Sequence, residues 1–180
     1  MNIYLFQRII GVGVLALHAL IVFLIIYLIY KKKTGKKLDF IEHIFSHHGM
    51  FMVGLSVFFA FVSSLIFSDV YNVEPCKLCW LQRIAFYPQI LIMFIAAKRK
   101  DTNAWVYSLW LSIIGLAIAL YQTLEQFRVN ILPQADCVIG PDAACSKINM
   151  LEFGYITFPL ASASLFLFII ILYKMRKKSA

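Results

Sequence analysis

The chain has 180 residues, of which 62% are hydrophobic and 14% charged, with a mean hydropathy of +0.81 and a formal charge of +8. A soluble domain carries roughly 45–50% apolar and about 25% charged residues. The excess apolar surface excludes an ordinary soluble enzyme, a disordered chain and a collagen-like fibre, and leaves a polytopic membrane protein.

A helix needs about 20 mostly apolar residues to cross the hydrocarbon layer. Five stretches qualify in chain order: Ile9–Tyr30, Met50–Phe67, Trp80–Ala97, Trp105–Leu124 and Gly154–Tyr173. The expected fold is therefore all-α, a bundle of five membrane spans. The first stretch is too long for a signal-peptide core, and its basic residues follow it rather than precede it, Arg8 apart. It reads as a retained span. The connection 125–153 is the longest between spans and leaves no room for a soluble domain.

Charge placement gives an orientation. Lysines and arginines cluster at 31–37, 98–100 and 174–178, each beside an apolar run. Such flanking clusters are topology signals rather than a nucleic-acid surface, and no nucleic-acid partner is expected. With the amino terminus outside and the carboxyl terminus inside, twelve basic residues are cytoplasmic. Five remain outside: Arg8, Lys77, Arg83, Arg128 and Lys147. The inverted arrangement opposes the positive-inside bias.

This orientation puts all four cysteines on the outer side, where disulfides are permitted. Cys76 and Cys79 form a C-x-x-C at the mouth of the third span, and Cys137 and Cys145 lie in the loop after the fourth. They read as two redox pairs or one four-thiol site. Pro75 is expected at the first position of the third helix, with both cysteines in the first turn. Free amides and the positive dipole end stabilise a thiolate there. Arg83 lies four residues after Cys79, on the same helix face. A cation inside an apolar span is costly and functional by default. Its five donors suit a carbonyl oxygen that becomes anionic on reduction, as in a quinone.

Blander readings exist for each feature. Four outer cysteines also make two inert disulfides, although staples seldom take a C-x-x-C form at a helix start. A zinc site fits poorly, because C-x7-C is loose for a zinc knuckle. Arg83 could be a snorkelling anchor. His43 and His47 share a helix face, but 38–48 reads as an amphipathic surface segment, and no metal is expected. Gly11 and Gly13 are a weak signal of close helix contact.

The run Pro75-Cys76-Lys77-Leu78-Cys79-Trp80-Leu81-Gln82-Arg83, followed by Tyr87-Pro88 and by a second cysteine pair in the next outer loop, closely resembles the signature of DsbB/BdbC-type disulfide bond formation proteins. The resemblance runs from Met50 to about Tyr173. It divides the chain into residues 1–49, an extra transmembrane helix with a basic connector, and 50–180, a DsbB-like four-helix redox domain. Family members generally have four helices with both ends cytoplasmic, so the first span departs from the pattern. The short C-x7-C resembles the compact loop of the BdbC-like branch.

The resemblance implies a dithiol:quinone oxidoreductase of the bacterial cytoplasmic membrane. Such a protein reoxidises an extracytoplasmic thioredoxin-fold thiol oxidase of the DsbA/BdbD kind and passes electrons to ubiquinone or menaquinone. By position, Cys79 would contact the quinone, with Arg83 supporting the anionic acceptor and Gln82 helping to place the ring. Cys76 would exchange with the second pair, Cys137 would meet the partner, and Cys145 would resolve the mixed disulfide. A vitamin K epoxide reductase-like protein is the redox alternative, but there the loop cysteines precede the C-x-x-C. A membrane scaffold with structural disulfides is the non-enzymatic alternative.

Overall fold

The computed structural model describes residues 2–35, 38–127 and 145–179. Among them are five helices long and apolar enough to cross a membrane: α1 Ile3–Thr34, α2 Asp39–Leu65 with its continuation Ile66–Val70, α3 Lys77–Arg99, α4 Ala104–Gln126 and α5 Phe158–Ser179. The all-α bundle of membrane-spanning helices expected from the apolar runs is thus observed.

Helix ends follow local chemistry. Asn2 caps α1, its side-chain oxygen accepting from the Tyr4 amide at 3.2 Å. Gly35 ends α1 in the left-handed conformation at φ 68°, after Lys31, Lys32 and Lys33 in the last turn. A C-terminal glycine and basic residues there satisfy the free carbonyls and the negative dipole end. The segment 38–48 leads straight into the second span, as the sequence suggests: α2 starts at Asp39, and its membrane-spanning part starts at His48. The start of the last span differs from the sequence reading. The last span starts at Phe158 rather than Gly154, because Phe153 (φ 53°) and Gly154 (φ 78°) turn the chain between paired residues Glu152 and Ile156.

α2 packs on α3, α3 on α4, α4 on α5 and α5 back on α2, closing a four-helix ring. α1 lies outside that ring against α5. Leu24 of α1, Val53 and Val57 of α2, Met93 of α3, Ala119 of α4 and Phe166 and Ile169 of α5 are among the buried side chains of one continuous core. Pro88 interrupts the hydrogen-bond ladder of α3, because proline has no amide proton. The next residue, the buried Gln89, donates from its side chain to the Ala85 carbonyl at 3.0 Å, and its side-chain oxygen accepts from Ser108 of α4 at 2.6 Å.

The close approach of α4 and α5 depends on Gly115. A Cβ there would collide with the ring of Phe166, which is fully buried and stacked on Phe86 at 3.9 Å between centroids. The ring cannot swing away without breaking that stack. Gly115→Ala is therefore expected to destabilise the bundle by about 1–3 kcal/mol, the usual cost of overpacking, read as a lower Tm in detergent solution.

Candidate redox site at the outer end of α3

Cys76 is the N-cap residue of α3, and Cys79 is the third residue of the helix. Pro75 thus precedes the cap instead of occupying the first helical position. The extended backbone at Cys76 (ψ 172°) turns its side chain back toward the first turn. There its sulfur donates to the Cys79 sulfur across 3.2 Å. Both cysteines are free thiols; Cys76 is 4% exposed and Cys79 half-buried. The bond to Cys79, together with burial, pushes the Cys76 thiol well above its ordinary range. In this geometry Cys76 is the proton donor of the pair and Cys79 the acceptor.

Gln122 of α4 joins the two sulfurs. Its Nε2 lies 3.2 Å from Cys76 Sγ and 3.4 Å from Cys79 Sγ, and its Oε1 accepts from Gln82 Nε2 at 2.7 Å. Gln82 orients the amide that faces the sulfurs. The sequence reading missed Gln122, although a glutamine inside an apolar span is itself a signal. Gln126, one turn further, donates to the Lys147 carbonyl at 3.1 Å, and its own Oε1 has no hydrogen-bond partner among the described residues.

Arg83 is 8% exposed. Its Nε donates to Ser64 Oγ at 2.8 Å, and its Nη2 donates to the Ser64 carbonyl at 2.9 Å and to Ser68 Oγ at 3.1 Å. Ser64 and Ser68 flank the start of the wide turn Ile66–Val70, where the Tyr71 amide reaches back five residues to Ile66. Such π-turns recur at functional sites. A buried cation without these bonds would cost several kcal/mol. The guanidinium also lies 5.1 Å from the Trp80 ring. Among the described residues its Nη1 has no hydrogen-bond partner.

Cys145 is disulfide-bonded and 2% exposed, and it packs in one buried cluster with Cys76 and Leu78. Cys137 lies outside the described residues. A cavity of about 20 Å³ lined by Glu74, Cys76, Cys79, Gln122, Gln126 and Lys147 adjoins the sulfurs. It has room for a water-sized group and none for a ring. On the outward side of α3, by contrast, Trp80, Leu81 and Ile84 are exposed beside the half-buried Cys79.

Residues 46–174 match the family described as disulfide bond formation protein DsbB. The chain belongs to the DsbB family. It is 35% identical over 124 residues to the "Probable disulfide formation protein" of Oceanobacillus iheyensis, covering 69% of this chain and 85% of that one. With the disulfide bond formation protein C of Bacillus subtilis it shares 39% identity over 112 residues, 62% of this chain and 80% of the relative. The SPbeta prophage-derived disulfide bond formation protein B of the same organism is 39% identical over 109 residues, 61% and 72% of the two chains. No solved structure matches the chain significantly. As a member of this family the chain is a multi-pass membrane oxidoreductase that forms disulfide bonds, as the sequence resemblance implied.

In the DsbB-like site the Cys76 proton depends on the sulfur that accepts it. Removing that acceptor in Cys79→Ala should lower the midpoint of the pH–rate profile for Cys76 alkylation in the reduced protein. Mass spectrometry after timed treatment with a small water-soluble alkylating reagent reads this directly; an unchanged midpoint would contradict the assigned donor.

Proposed function

We propose that the protein is a dithiol:quinone oxidoreductase of a bacterial cytoplasmic membrane that reoxidises an extracytoplasmic thioredoxin-fold thiol oxidase of the DsbA/BdbD kind. The observation that carries the reading is the adjacency of three elements: a free thiol pair at the start of an apolar helix, a disulfide-bonded cysteine buried against it, and a buried arginine one turn below. The positive-inside bias supports an outer location for all three.

The proposed cycle runs through thiolates. A thiolate of the reduced partner attacks the Cys137–Cys145 disulfide at Cys137, and the partner's second thiol then releases an oxidised partner and two loop thiols. Cys145 next attacks Cys76 of the oxidised first pair, and Cys79 leaves as a thiolate. Cys137 attacks Cys145 of this mixed disulfide, which restores the loop disulfide and leaves Cys76 as a thiol and Cys79 as a thiolate. Gln122 stabilises negative charge on sulfur through its amide protons, and Cys76 keeps the proton nearby. The first pair then closes again, as Cys79 gives up two electrons and Cys76 its proton.

A quinone supplies the two-electron sink. Without one, a strongly oxidising partner near −120 mV would have to be regenerated by a disulfide of the ordinary kind below about −300 mV, uphill by roughly 8 kcal/mol. Arg83 Nη1 donates to an acceptor oxygen as charge develops on it. The apolar surface of Trp80, Leu81 and Ile84 admits a lipid-soluble ring from the bilayer.

Purified protein, a reduced thioredoxin-fold oxidase and a short-chain quinone test the reading, with quinone absorbance as readout. Cys76→Ser and Cys79→Ser should abolish turnover. Arg83→Ala should raise the KM for quinone while leaving the KM for the partner unchanged. Stable disulfides with no quinone consumption in the unaltered protein would favour a scaffold instead.

A further inference from the structure

α1 lies outside residues 46–174, which carry the family match. Its contacts converge on the segment that leads from Cys145 to α5. Gln7 Nε2 donates to the Asn149 carbonyl at 3.1 Å. Arg8 Nη1 pairs with Glu152 Oε2 at 3.1 Å, and the Arg8 guanidinium lies over the Phe153 ring at 5.3 Å. Gly11 admits the Glu152 stem so closely that a Cβ would come within 2.9 Å of Glu152 Cβ. Phe6 and Val14 share a buried cluster with Met150 and Ile156.

Deeper in α1, His18 Nδ1 lies 3.2 Å from the Tyr155 hydroxyl, and its Nε2 lies 2.6 Å from Ser164 Oγ. Ser164 donates its single proton to the Leu160 carbonyl at 2.8 Å. With that hydroxyl proton directed at Leu160, the neutral tautomer that fits carries its proton on Nε2 and accepts from Tyr155 at Nδ1.

We propose that α1 is a positioning element for exchange between the two cysteine pairs: Gln7, Arg8 and Gly11 hold 149–152, and through it keep Cys145 against Cys76. The chain geometry supports this. Asn149 lies only four positions after Cys145, a reach of at most about 14 Å. Gln126 of α4 holds Lys147 from the opposite side. A strap fixed at Lys147 by the bundle and at 149–152 by α1 has little freedom to carry the sulfur away. The exchange served is the thiolate substitution set out above, and the inference rests on that reading. Two electrons pass from the loop pair to the Cys76–Cys79 disulfide, and the quinone is the final oxidant.

The test uses the full chain reduced at all four cysteines and mixed rapidly with excess short-chain quinone. Two equivalents are consumed. The first comes from Cys76 and Cys79 directly, and the second only after the loop pair has reduced them again. Arg8→Glu sets like charges face to face across the α1–strap contact, and Gly11→Leu forces the strap outward. Each should slow the second phase at least about fivefold, the effect of a modest contact energy, and leave the first unchanged. The double variant Arg8→Glu/Glu152→Arg should bring the second phase back to within about twofold of the unaltered protein.

Equal slowing of both phases, or failure of the charge exchange to restore the rate, would reduce α1 to general support of the fold and overturn the proposal. So would unchanged kinetics in both single variants. If the unaltered protein consumes no quinone, the exchange reading itself falls and this one with it, an outcome distinct from any seen only in the variants.

Discussion

The site depends on one amide. Gln122 reaches from α4 to within hydrogen-bond distance of both sulfurs at the start of α3, while Gln82 fixes which of its ends faces them. Sulfur in an apolar setting has few ways to be stabilised when charged. A helix start provides unpaired amide protons, and Gln122 adds two more from a second element. The packing of α3 on α4 is therefore part of the redox chemistry, and the buried Gln89–Ser108 bond lower down ties the same two helices together.

Arg83 applies the same logic to a cation. A guanidinium inside an apolar bundle must satisfy its protons or lose its place. Ser64 and Ser68 take three of its hydrogen bonds on one side. The wide turn after Leu65 changes the pattern of carbonyl acceptors on α2, and the Ser64 carbonyl serves both Arg83 and the Ser68 hydroxyl. The charge is held rigidly beside Trp80 instead of reaching for the interface. A fixed charge assists a reaction only if it need not reorganise as the reaction proceeds.

Much of this was legible in the residues themselves. Five apolar runs announced five spans, and Pro-Cys-x-x-Cys followed by Arg83 pointed to the candidate site, because length and charge cost are properties of single segments. Boundaries were less legible. The turn at Phe153 and Gly154 shortened α5, since the apolar run before Phe158 fits a membrane helix as well as a turn. Gln122, Ser64 and Ser68 stayed hidden as partners because their role exists only once three helices pack. Of the two glycines noted in α1, a Cβ at Gly11 would press on Glu152 and Phe153, whereas one at Gly13 would meet nothing within 4 Å among the described residues. Helical periodicity alone cannot tell which face will meet a loop 140 positions away.

The burial of Cys76 has a bearing on chemical durability. Peroxide attacks thiolates that solvent can reach, and the damage becomes irreversible beyond the sulfenic stage. Cys76 is a protonated thiol beneath the surface, beside a cavity that admits little more than one water molecule. The half-buried Cys79 is the sulfur that an oxidant meets first, and its neighbour stands 3.2 Å away to condense with a sulfenic acid into a disulfide. Accidental oxidation is thereby channelled into the same disulfide that the proposed cycle uses.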